Sequence, residues 1–369
     1  MKPGTFKLSF FCILFFFINI ANAQELSEVK YQRGSVIQMM IEHPMYMFND
    51  EVASAFKKLP ISERFNNHNL GVKIVKFAAQ EFSDQQSNIS SFINQVNLGG
   101  RAVAKWFNWN KHTGAFNMDL IKERGLYNAN ALDKELAALN IRGSAILSDA
   151  GEKLIPNTYL IMSDICYKGK YSNKEEDMNY VKDTHSFDVK IVSYIYQLNW
   201  DNDKLNEFYS VYYNGATDFI NKVNQYNFTF RAKVETDYSE MSNHISQTTL
   251  IERVVARCLD INMAKLQRAY PDFRIKALIT STEPIQAEIG LKECITSNSL
   301  FEVLEMNVDS KGIVTYNRVG IVSPIEGKIW DNRYMADEED TPLSKLKATT
   351  FKVIKGKNFY PGMVIREIE

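Results

Sequence analysis

The stretch Leu154-Ile155-Pro156-Asn157-Thr158-Tyr159-Leu160-Ile161-Met162-Ser163-Asp164-Ile165-Cys166-Tyr167 is almost continuously apolar, and a second such run occupies residues 186–200. β-branched and aromatic residues over this length read as strand. In the second run Val189, Ile191, Tyr194, Tyr196 and Leu198 carry the apolar content. Their phase slips between Ile191 and Tyr194, which points to a bulge or to burial on both faces. The interval 168–184, rich in Lys, Glu and Asp, reads as a solvated hairpin loop. The two runs are therefore expected to pair antiparallel.

Working outward, Ser35–Ile41 is a further apolar run, and residues 71–78 alternate enough for a strand. Ile89, Phe92, Ile93 and Val96 recur at i, i+3, i+4 and i+7, an amphipathic helix. Gly99-Gly100 breaks or kinks it before Val103, Trp106 and Phe107 resume. Residues 116–121 read as an extended segment closing at Arg124-Gly125, and 130–150 as a helix with Leu132, Leu136 and Leu139 on one face. The best helix covers 246–270, where Leu250, Ile251, Val254, Val255, Cys258, Leu259 and Leu266 build one face and Pro271 stops it. After Glu283 the texture changes to short β runs and turns, which predicts a small β-barrel or sandwich. The expected fold class is α+β, with an α+β domain over 24–283, divisible near 168–185 or 201–225, and a small β domain over 284–369.

The N-terminus has two lysines, an apolar run from Leu8 to Ile20 and Ala21-Asn22-Ala23. These are the three parts of a secretory signal peptide over residues 1–23. The apolar run is shorter than the roughly 20 residues of a membrane span. Cys12 follows Phe11 inside that run, which argues against lipidation. Removing residues 1–23 takes away two lysines and no acidic residue, so the formal charge moves from −1 to −3. Nucleic-acid binding is excluded, because it needs a basic face. No later run suits a transmembrane segment.

Three cysteines remain, Cys166, Cys258 and Cys294, an odd number with no CxxC spacing. They are expected to be reduced and packed as small hydrophobes. His43, His68, His112, His185 and His244 lie too far apart for an HxxxH pair, so no metal and no cofactor is expected. Phosphate-cradling glycine motifs and a GxSxG elbow are absent. A thiol–imidazole pair would need Cys166 and His185 to meet across the hairpin. The acidic runs at 175–177 and 337–340 lie in polar loops, where weak calcium binding is the alternative to plain solvation. Two aromatic clusters remain as candidate partner or ligand surfaces: Trp106, Phe107 and Trp109, and then Trp330, Asn332, Arg333 and Tyr334. In the first, the alternative is two rings buried and one capping the core. Exposed strand edges on either domain also offer β-augmentation.

Phe116, Glu123-Arg124 and Tyr159-Leu160-Ile161-Met162 together resemble the α/β module of curli-secretion and related bacterial envelope proteins. The runs Arg318-Val319-Gly320-Ile321-Val322, Phe351-Lys352-Val353-Ile354-Lys355-Gly356 and Pro361-Gly362-Met363-Val364-Ile365 are similar to the small β-barrel ending some flagellar-assembly periplasmic proteins. That family has Gly-Asp where this chain has Gly362-Met363. The resemblance implies an exported, non-catalytic envelope protein with a scaffold or assembly role. Its location would be periplasmic, outer-membrane-associated or extracellular, and its partners envelope proteins or copies of itself. The alternatives are a secreted hydrolase and a carbohydrate- or peptide-binding protein.

Overall fold

A computed structural model describes residues 34–61, 65–76, 84–128, 143–171, 185–222, 225–270, 273–308 and 314–368. The expected signal peptide, the leucine face at 132–139 and the acidic run at 175–177 lie outside the described residues.

The two long runs form β4 (Thr158–Tyr171) and β5 (His185–Leu198), paired antiparallel in unbroken register from Tyr159↔Gln197 to Tyr171↔His185. β6 (Phe228–Ser242) pairs antiparallel with β5. On the other side β1 (Ser35–Ile41) runs parallel to β4, and short β2 (Asn66–Asn67) and β3 (Ile74–Val75) run parallel to β1. The order is β2-β1-β4-β5-β6, with β3 also on β1. The phase slip in β5 has a packing origin, since Ile191, Tyr194, Ile195 and Tyr196 are all buried. The backbone irregularity falls slightly later, at Ile195/Tyr196, and only against β6.

Burial on both faces follows from helices on both faces. One face carries Ile37, Met39, Leu160, Met162, Tyr194 and Tyr196, covered by α2 (Gln85–Gln95), α3 (Leu98–Trp106) and the start of α4 (Asp119–Asn128). Asp84 caps α2 by accepting from the Ser87 amide at 2.7 Å. The break between α2 and α3 falls at Asn97, whose φ of 49° lets its side chain accept from the Gly100 amide. The opposite face carries Met40, Ile165, Phe187, Val189 and Ile191, covered by α1 (Asn49–Lys58) and by a long helix, Gln247–Ala269. Ser246 caps the long helix by accepting from the Thr249 amide at 3.2 Å.

Three expectations change. Residues 119–121 are helix, not extended chain, and Glu123-Arg124-Gly125 lie inside α4. Gly125 serves helix crossing: a Cβ there would stand 1.9 Å from the Leu147 carbonyl oxygen of α5 (Gly143–Glu152). Reciprocally, a Cβ at Gly151 would stand 2.0 Å from the Ile121 carbonyl oxygen. Leu154 and Ile155 precede β4 in a turn, both buried against the helical layer. Finally, β7 (Lys276–Thr282) pairs with β12 (Val364–Glu367) and β8 (Ile285–Ala287), so the C-terminal sheet starts before 284.

That sheet adds β9 (Phe301–Val308), β10 (Val314–Pro324) and β11 (Thr349–Lys355). The order β10-β11-β8-β7-β12-β9 returns to β10 as a closed ring of antiparallel pairs. Ile279, Ile289, Phe301, Val303, Val322, Phe351 and Ile365 fill it. The chain is an α+β protein.

Candidate functional site

The first aromatic cluster is interior. Trp106 and Phe107 are fully buried, and Trp109 is half-buried. Trp106 Nε1 donates to Thr158 Oγ1 at 2.9 Å, and Phe107 lies 4.1 Å from the Phe208 ring. Trp109 Nε1 donates to the Ala216 carbonyl at 2.8 Å. A recognition role for Trp106 and Phe107 is corrected by this placement. The end of α3 turns toward the sheet, and desolvating these large rings there is worth several kcal/mol of burial.

Trp106 belongs to a buried polar knot. The Arg124 guanidinium carbon sits 4.2 Å over its ring, and Arg124 donates to Ser35 Oγ at 3.2 Å and to the Asn67 carbonyl at 3.3 Å. His68 Nε2 lies 3.0 Å from the Ala102 carbonyl, and His68 Nδ1 lies 2.7 Å from Arg124 Nη1. A carbonyl can only accept, so Nε2 carries the proton and Nδ1 accepts from Arg124. Burial, and secondarily the Arg124 charge, hold the His68 imidazole well below its ordinary pKa. Burial lowers Arg124 to about 10, which leaves it cationic at neutral pH. The knot ties α3, α4, β1 and β2 together.

The second cluster is a clasp. Asp331 is buried and accepts from Arg333 Nη2 at 2.7 Å. Burial pushes its carboxyl upward, but the Arg333 hydrogen bonds outweigh that and hold it below its usual range. Asn332 accepts from the Lys292 amide at 2.8 Å and donates to Glu293 at 3.0 Å. The Tyr334 carbonyl accepts from Arg257 Nε at 3.2 Å, and Arg257 also pairs with Glu339. Trp330 is half-buried, bridging to Gly290. These groups pin the ring to the long helix, on the opposite sheet face from Trp106, so the two aromatic clusters do not converge.

The residues that do converge on open space went unmarked by any motif. Ile41 stands opposite Asp164 in the parallel β1–β4 pair, which brings His43, just beyond β1, beside Asp164. His43 Nε2 and Asp164 Oδ1 are 2.6 Å apart, and Gln85 Nε2 donates to Asp164 Oδ2 at 2.7 Å. The Tyr46 ring stacks on His43 at 4.9 Å and meets Tyr167 edge-on at 5.7 Å. This anchors the loop at 43–48, which presents Met45 and Met47 at 94% and 73% exposure. Behind them opens a pocket of about 1080 Å³, bounded by Phe48, Cys166, Tyr167, Lys190, Asp237 and Tyr238. The Tyr167 hydroxyl is buried there with no hydrogen-bond partner among the described residues, and burial pushes its pKa up to about 12.

Cys166, Cys258 and Cys294 are free thiols. Burial, then Asp164, raise the Cys166 pKa, so its nucleophilic thiolate is disfavoured. Cys166 faces Lys190 while His185 faces Tyr171 five residues further on, about 17 Å away at ~3.4 Å per residue. The cross-hairpin pair does not form. Among the described residues no three His, Cys, Asp or Glu side chains are grouped to hold a metal, and no helix is long and apolar enough to cross a membrane. No known family and no curated protein matches the chain.

Proposed function

We propose that this chain is an exported, non-catalytic protein of the bacterial envelope that docks a protein partner at the open end of its first sheet. The supporting observation is the exposed Met45–Met47 loop over the Tyr167 pocket, beside β6. Methionine is flexible and polarisable, and suits surfaces that adapt to a partner. β6 ends the sheet order and has no strand on its outer edge among the described residues. An extended partner segment would add to β6 and place an apolar side chain between Met45 and Tyr238, which is β-augmentation with one specificity pocket. The closed C-terminal ring, read as a small β-barrel, leaves no such edge.

A photoreactive residue at Met45 or Met47 should capture the partner in envelope fractions, and one at distant Val211 should not. Equal capture at all three positions refutes the docking site. A second reading, an exported hydrolase, draws on the His43–Asp164 pair, in which Asp164 orients an imidazole for acid–base work. Loss of a hydrolytic activity in His43→Gln would favour it.

A further inference from the structure

A second concavity lies where the first sheet, the long helix and the ring meet, away from the Met45–Met47 loop. Its volume is about 240 Å³, below the range typical of drug-sized ligands. Its walls are of two kinds. Leu59, Pro60, Leu259 and Met263 make an apolar side. Gln38, Asp260, Gln267 and Lys292 supply polar heads from β1, the long helix and the Leu291–Glu293 turn of the ring.

The polar heads are under-used. Gln267 is only 4% exposed, and its amide makes no hydrogen bond to any described residue. An amide that lines a cavity in that state is left to a ligand or to water. Gln38, also lining the cavity, is equally without a side-chain partner among the described residues. Asp260 and Lys292 approach only to 3.5 Å, longer than a good charged hydrogen bond. Glu293 also lines the cavity but is engaged by the Gly290 amide and Asn332. The partly exposed Asp260 and Lys292 charges cancel each other, so a ligand bearing only one charge leaves one of them unmatched. A ligand carrying both charges matches both.

We infer that this junction cavity binds a small zwitterion with an apolar side chain, of the α-amino-acid class. The ligand ammonium meets the Asp260 carboxylate, and the ligand carboxylate meets the Lys292 ammonium. The Gln38 and Gln267 amides, each donor and acceptor, complete the remaining hydrogen bonds. The apolar side chain lies against Leu59, Pro60 and Met263. Because the contacting residues come from both the first sheet and the ring, bound ligand would brace the junction already held by Arg257–Glu339 and Arg268–Glu367. The inference does not rest on the docking reading and survives its failure.

Titration calorimetry on the full mature chain with L-leucine and L-phenylalanine tests it, with isoamylamine and 4-methylvalerate as single-charge analogues. Leucine or phenylalanine should bind and raise Tm with concentration, and each analogue should bind about ten-fold more weakly, the equivalent of one lost charged hydrogen bond. Gln267→Leu and Lys292→Met should each weaken binding by a similar factor. Lys292 is partly exposed, so its variant tests the site even where Gln267→Leu fails to fold. No binding of either amino acid, equal binding of the three leucine-like compounds, or binding unchanged in Lys292→Met overturns the inference and leaves a cavity that holds water only.

Discussion

Acidification should destabilise this protein through His68, and a single variant isolates the effect. In the fold Nε2–H serves the Ala102 carbonyl and Nδ1 accepts from Arg124 at 2.7 Å. A proton on Nδ1 would point a donor at a guanidinium donor. The folded pKa is therefore depressed well below 6.5, the value expected in the unfolded chain. For a base with a depressed folded pKa, the unfolded state binds the extra proton. Stability from this group is complete above about pH 6.5 and is lost as pH falls below it. From pH 7.5 to pH 5, uptake of one proton by the unfolded chain alone costs about 2 kcal/mol. Other groups titrate over the same range, so the quantity to measure is the difference between the wild type and His68→Gln. Urea unfolding at pH 7.5, 6 and 5 should show the variant less stable at pH 7.5. Its deficit should shrink by about 2 kcal/mol by pH 5. A deficit that stays constant to pH 5 would mean that the folded imidazole protonates freely, and the assignment of the buried knot would be refuted.

Two further perturbations test other parts of the structure. Gly125→Ala gains about 1 kcal/mol of helix propensity, yet its Cβ would meet the Leu147 carbonyl oxygen at 1.9 Å. Overpacking should win, with a net loss of about 1–3 kcal/mol in chemical denaturation; a more stable variant would refute the close α4–α5 crossing. Burial raises the Asp260 carboxyl to about 6 from an ordinary 3.8, so the folded state holds its proton more tightly. Stability from this group is present below pH 3.8 and lost as pH rises through 6. The Tm of Asp260→Asn relative to wild type should therefore climb between pH 4 and pH 7, and a flat difference would contradict the burial of that carboxyl.

Much of the scaffold can be read from local pattern. The near-continuous apolar runs at 154–167 and 186–200 supply β4 and β5 because both faces of these strands are covered, and the face of Leu250, Val254, Cys258 and Leu259 becomes the buried side of the long helix. Where a residue has two local uses, pattern misleads. Arg124-Gly125 has the look of a turn, but Gly125 is selected by the carbonyl of a helix that passes it. The residues at 276–282 form an ordinary strand, and nothing in their own composition tells which sheet will claim them.

The candidate sites show the same division more sharply. Trp106, Trp109 and the 330–334 cluster are conspicuous along the chain because aromatic and charged residues are dense there, yet density does not distinguish an interior knot or a clasp from an exposed surface. His43 and Asp164 stand 121 positions apart, and Gln38 and Lys292 further still. By itself the sequence determines an α+β chain with long apolar strands and amphipathic helices. Periodicity and composition are properties of neighbours along the chain. Which polar groups share a cavity, and which rings are sealed from water, only the tertiary structure decides. Those outcomes depend on strand order and helix crossing, which join residues that local forces never bring together.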